Sequence, residues 1–157
     1  MERWQKPGEI FTCTWLAVRS ENTVMQDDVL KLMCRRPDEL IRGVISALAA
    51  CPSDYFIKIA KRWSAINAAP AAQVGVLRAA SLRGRTAFTH LDNPLQVYLQ
   101  SQTAHIRAAA CRACTVVVQP GSVIPLLRET LSDFDLQVRA EASPLCQTVV
   151  RQLHNSN

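Results

Sequence analysis

Cysteines, histidines and acids are where chemistry would have to begin in this chain. Cys111 and Cys114 form a Cys-x-x-Cys pair. Thiolates at that spacing can supply half of a zinc site or run dithiol redox chemistry. Structural zinc takes four ligands, and neither a second such pair nor a His-x-x-x-His partner accompanies this one. A thioredoxin-type pair sits where a strand runs into a helix, and no strand pattern precedes these residues. Both cysteines are therefore expected to be small core fillers. His90, His105 and His154 make no i,i+4 pair. His90 with Asp92 is the one tight histidine–acid neighbour, in an expected loop from Thr89 to Asn93, and no nucleophile is identifiable for it. Gly84 and Gly121 stand alone, so no glycine-rich phosphate loop exists. Glu129 and Glu141 are acids without a feature that prefers either. No catalytic residue, metal ligand or cofactor is expected.

The arginines carry more pattern. Eighteen Lys and Arg against 13 Asp and Glu give a net charge of +5, and Lys6, Lys31, Lys58 and Lys61 are the only lysines. Everything basic after Lys61 is arginine, whose planar fork suits partly buried polar positions. Arg78, Arg83 and Arg85 cluster near an expected helix end, where cations complement the dipole or could meet phosphate. Asp38 lies four residues before Arg42, and Asp135 four before Arg139, the spacing of a helical ion-pair ladder. Arg78 and Arg107 lack such an acid and are the better candidates for free charge. Arg78, Arg107, Arg112 and Arg139 are the expected partner-binding residues, aimed at carboxylates or phosphates.

Helices must position these groups. Apolar residues make up 48% of the 157 positions and aromatics only 6%, with five glycines. Such a chain can bury a core but is poor in the strand and turn residues of a β-sandwich. Prolines at 7, 37, 52, 70, 94, 120, 125 and 144 punctuate segments whose apolar residues recur every three or four positions. The expected helices run at about 9–19, 25–35, 38–50, 54–67, 71–84, 94–101, 103–118, 121–131 and 135–153, with a bend at Pro144. No apolar run reaches the roughly 20 residues that span a bilayer, and no clean leader pattern opens the chain. The expected location is cytoplasmic, with the cysteines mostly reduced.

The C-terminal third repeats itself. Sliding it along until Ile106 meets Val138 also brings Arg107 onto Arg139, Ala110 onto Ala142 and Ala113 onto Leu145. Cys114 then falls on Cys146, and Val117 on Val149. The same shift carries Leu95 onto Leu127 and Leu99 onto Leu131. Two helices recurring together at one spacing mark a helix-pair repeat. Alanines 108, 109, 110, 113, 140 and 142 are expected to let helix axes approach, with leucines 95, 99, 127 and 131 filling the layer between. An aliphatic-Arg step also occurs upstream, at Ile41-Arg42 and Leu77-Arg78. Arg42, Arg78, Arg107 and Arg139 would then head four units, the upstream two with altered loop lengths.

Residues 37–153 resemble HEAT repeats in their compact, lyase-like form. The clearest match is the stretch from Leu126 to Ala142, with an acidic turn, Val138-Arg139 and an alanine-bearing helix. The resemblance implies an all-α fold: a short right-handed α-solenoid of about four HEAT-like helix pairs over 37–154, with N-terminal capping helices over 1–36. It implies a non-catalytic scaffold or adaptor that binds another protein; the charge of +5 is compatible with an acidic partner without demanding one, and the absence of a spanning run speaks for no membrane. Self-association through a terminal repeat is a further expectation. The alternatives are a nucleic-acid-binding HEAT-like protein and a HEAT-like enzyme of the lyase or DNA glycosylase type. Trp4, Trp15 and Trp63 lie outside the recurrent units, and +5 is a weak electrostatic footprint for DNA.

Overall fold

The computed structural model describes residues 6–117, 125 and 128–155. It is helical throughout, with no strand among the described residues. The helices are α1 (Pro7–Arg19), α2 (Thr23–Arg35), α3 (Pro37–Ala50), α4 (Ser53–Trp63), α5 (Pro70–Arg83), α6 (Leu95–Leu99), α7 (Ala104–Val117) and α8 (Leu136–Asn155). A 3-10 helix, Arg85–His90, follows α5 and takes in the first two residues of the expected loop.

Proline writes many of these boundaries. Pro7, Pro37 and Pro70 open α1, α3 and α5 at the first turn, where the missing N–H costs nothing and φ is already helical. Pro52 and Pro94 directly precede α4 and α6. Gly84 ends α5 at φ +98, a left-handed conformation that favours glycine. α8 runs on through Pro144, which removes one rung of its ladder without ending the helix. The helix expected over 54–67 stops at Trp63. The Gln73 amide donates to the carbonyls of Ala65, Ile66 and Ala68, so the carbonyls beyond Trp63 are met by a side chain instead of by further helix.

α1 packs on α3, α3 on α5, α5 on α7 and α7 on α8. α2 and α4 lie against the first half of this row, and the short α6 lies against α7. One core cluster spans α1 to α5 around Met33, Leu48, Phe56 and Trp63. A second spans α5 to α8 around Leu77, Tyr98, Ile106 and Cys114. Ile41, Phe88 and Leu91 pack against both.

Burial sets α3, α5, α7 and α8 in a common register. Val44, Val76, Ala110 and Ala142 are each fully buried and recur at nearly equal spacing. Around the first three, the pattern of buried and exposed positions is closely similar in α3, α5 and α7. In this register Arg78 is the counterpart of Arg112, not of Arg107. The residue that stands where Arg107 and Arg139 stand is Gln73. The alignment on aliphatic-Arg steps is thus corrected upstream: two similar dipeptides occupy different turns of their helices.

The C-terminal echo holds inside the core at Ile106, Ala110 and Ala113, and at Val138 and Ala142, which are all buried. One expected filler and one alanine expected at a close helix approach are not inside. Leu131 is 40% exposed, and Ala140 faces solvent. Leu127 and the side chains of Leu145, Cys146 and Val149 lie outside the described residues. So does most of the helix expected at 121–131, of which 125 and 128–131 are described and helical.

Candidate functional site

The same-side faces of α3, α5, α7 and α8 enclose a groove of about 500 Å³. Ile41, Ala71, Val74 and Ala108 make its floor. Ala71 and Val74 are one turn apart on α5, and Ile41 and Ala108 flank them from the helices on either side. Small side chains on that face leave a continuous trough. Arg78, Arg112 and Glu141 stand along one side of it, with Asp38, His105 and Gln137 elsewhere on the rim.

The four expected partner-binding arginines divide two and two. Arg78 and Arg112 line the groove. Arg107 and Arg139 do not. Arg107 forks onto Asp133 with two bonds of 2.7 Å and also donates to the carbonyls of Ser101 and Gln102. Arg139 donates to the carbonyls of Asp133 and Phe134. Ser101 and Gln102 move onto Asp133 and Phe134 under the shift that carries Arg107 onto Arg139, so the two arginines perform the same task in consecutive units. Each ties the turn before a helix to that helix, and Gln73 does so for α5. Arg107 is therefore not a free charge. The acid that binds it, Asp133, lies far onward in the sequence, invisible to a search one helical turn back.

The expected ladder is corrected as well. Neither Asp38–Arg42 nor Asp135–Arg139 pairs among the described residues. Asp135 instead accepts from the backbone N–H of Gln137 and Val138, capping the start of α8. At the start of α3 the ion pair is Arg36 with Glu39.

Arg78 and Arg112 differ in their partners. Arg112 is bound through two nitrogens to the Glu141 carboxylate across the α7–α8 contact. Arg78, half-buried, makes no hydrogen bond or ion pair among the described residues. Burial, then the like charges of Arg112 and Arg42, push its pKa down, and Glu141 works against them. A guanidinium remains charged under such a shift, so the groove presents a cation whose donors have no hydrogen-bond partner among the described residues, beside an apolar floor.

The other candidates disperse. Arg83 leaves the expected basic cluster and donates to the carbonyls of Leu48, Ala49 and Cys51 at the end of α3, its guanidinium 4.4 Å from the Phe56 ring centroid. Arg85 is exposed on the 3-10 helix. Cys111 and Cys114 are fully buried. Burial, with Cys111 adding to it, pushes the Cys114 thiol up to about 12, the opposite of a reactive or metal-binding thiolate. Glu129 is exposed beside a smaller pocket of about 250 Å³, whose Asp133 is already held by Arg107. Trp15 lies under Arg19 and Trp63 is in the core, so neither offers a ring to the groove.

Cys34, Asp38, His105 and Gln137 also line the groove, and sequence reasoning did not single them out for it. His105 and Arg112, two turns apart on one face of α7, are the only sequence signal that could have pointed there. Among the described residues no helix is long and apolar enough to cross a membrane, and no three metal-binding side chains cluster. Comparison with protein-family models, with curated proteins and with solved structures finds no match to this chain.

Proposed function

We propose that this chain is a HEAT-like α-solenoid which acts without chemistry, as a scaffold or adaptor that holds another protein in the α3–α5–α7–α8 groove. The carrying observation is that groove: successive helices of one row leave a continuous apolar trough between charged rims. Repeat arrays use such surfaces because each added unit lengthens them without altering the core. The equivalent core positions Val44, Val76, Ala110 and Ala142, and the equivalent turn ties of Arg107 and Arg139, support the repeat reading. The cysteines considered for chemistry are buried, Glu129 lies outside the trough and Glu141 is paired, which favours binding over reaction.

Ala71→Arg fills the floor from a half-buried position on α5 and should spare the fold. Affinity capture from the native host, with quantitative mass spectrometry, should retain a partner on the wild type and on the distant control Ile57→Lys. The same partner should be lost on Ala71→Arg. A partner retained equally by all three proteins places binding elsewhere and removes the groove from this reading.

A further inference from the structure

We propose that the groove receives an acidic amphipathic segment of its partner, whose carboxylate docks on Arg78 while its apolar face lies along the α3–α5–α7 floor. This deepens the protein-binding reading and rests on it.

Three observations converge on the acid. First, Arg78 alone among the four candidate arginines has its donors unspent. Arg107 and Arg139 are bound to Asp133 and to turn carbonyls, and Arg112 to Glu141. A half-buried guanidinium has lost part of its hydration and gains most from a ligand with two acceptor oxygens in a plane. Second, Arg112 and Arg42 both oppose the charge on Arg78, and of the two carboxylates that line the groove Glu141 is engaged by Arg112 while Asp38 lies elsewhere on the rim. An arriving anion relieves that repulsion, and an arriving cation adds to it. Third, the floor is apolar, formed by Ile41, Ala71, Val74 and Ala108. A ligand with nothing but charge would leave this surface uncovered, so the occupant carries apolar side chains on the same face as its acid. Three interaxial steps from α3 to α8 span roughly 25–30 Å, the length of a helix of about 16–20 residues at ~1.5 Å per residue. Helix-in-groove recognition with anchors three and four residues apart meets all three conditions.

The choice of a carboxylate on a protein over phosphate on a nucleic acid follows from the same floor. Phosphate backbones are read by rows of exposed cations and need no apolar trench. Here one unpaired guanidinium sits beside a trench, and the second groove arginine is neutralised.

The test uses the full chain and a displayed library of random peptides, each about 18 residues long so that a helix at ~1.5 Å per residue spans the groove. Selected peptides are titrated against wild type, Arg78→Gln, Arg78→Lys and the control Arg85→Gln, which removes an exposed charge on the 3-10 helix. A labelled duplex and a single-stranded oligonucleotide are titrated in parallel. Backbone amide NMR shifts locate the binding surface, and circular dichroism checks each variant's fold. Wild type should enrich segments with Asp or Glu placed among apolar residues at helical spacing, and the shifts should map to α3, α5 and α7. Arg78→Gln should weaken these peptides about ten-fold, the weight of one charge-assisted pair. Arg78→Lys should recover only part of that, because an ammonium cannot fork. Arg85→Gln should change little. Neutral or basic peptides bound in the same groove would overturn the acidic docking but leave the protein-binding groove standing. Binders that map elsewhere, or none at all, would remove both. Oligonucleotide binding at Arg78 that exceeds the peptides would replace the partner class.

Discussion

Asp133 illustrates how one residue can serve two units of the chain. Its carboxylate takes both bonds of the Arg107 fork and accepts from the Asp135 N–H, and its carbonyl accepts from Arg139. The Arg107 hydrogen bonds hold its pKa below the usual carboxylate range. The folded state therefore binds this proton less readily than the unfolded state does. The resulting stability is fully present above the unfolded pKa of about 3.9 and is lost as pH falls below it toward the depressed folded value. Asp133→Asn should lower stability at neutral pH by about 1.5–3 kcal/mol, the range for hydrogen bonds to charged groups. Urea unfolding across pH 3–7 should show the difference between the two proteins shrinking toward the acid end. A difference constant with pH would mean that the ion pair contributes nothing.

At the scale of helices, the ends carry much of the stability. Arg83 closes the C-terminus of α3 by reaching from α5 to three of the carbonyls there, and it donates to Ser53 Oγ at the start of α4. One guanidinium thus fixes the α3–α4 corner against α5, with Phe56 beneath it. A cation at a helix C-terminus also interacts favourably with the helix dipole. Arg83→Ala should cost about 2–3 kcal/mol and lower the melting temperature by roughly 5–10 °C. Arg83→Lys should restore less than half, since a point charge cannot reach three carbonyls at once. Full recovery with lysine in thermal melts would show that charge alone, not the fork, holds the corner.

At the scale of the whole molecule, the described residues form two core clusters sharing a seam. Ile41, Phe88 and Leu91 touch both. Ser64 joins them through polar bonds: its carbonyl accepts from the Tyr98 hydroxyl at 2.6 Å, and its hydroxyl accepts from the Asp92 N–H at 2.7 Å. Trp15 and Trp63 belong to the first cluster, so with Trp4 replaced by Phe, tryptophan fluorescence reports that half while far-ultraviolet dichroism reports all the helices. The two signals should unfold together in urea for this otherwise wild-type protein, as a cooperative domain does. Phe88→Ala weakens the seam, and the dichroism midpoint should fall by about 1 M while the fluorescence midpoint falls less. Coincident curves in that variant would show that the clusters are coupled by more than these contacts.

Helical class, most helix starts and the buried state of Cys111 and Cys114 were legible from residue order. They depend on proline, on apolar spacing and on missing ligand partners, all of which are local along the chain. The C-terminal echo was legible for the same reason, because Ile106 and Val138 occupy equivalent first turns of α7 and α8. The upstream register was not, because Ile41-Arg42 and Leu77-Arg78 resemble the motif yet sit deeper in their helices, and only burial distinguishes the turns. The fates of the arginines were likewise decided in three dimensions. Arg107 met Asp133 and Arg112 met Glu141, each on a later turn or helix. Charge acts through space and is screened by whatever folding brings beside it, so which guanidinium stays free is a property of the assembled row of helices.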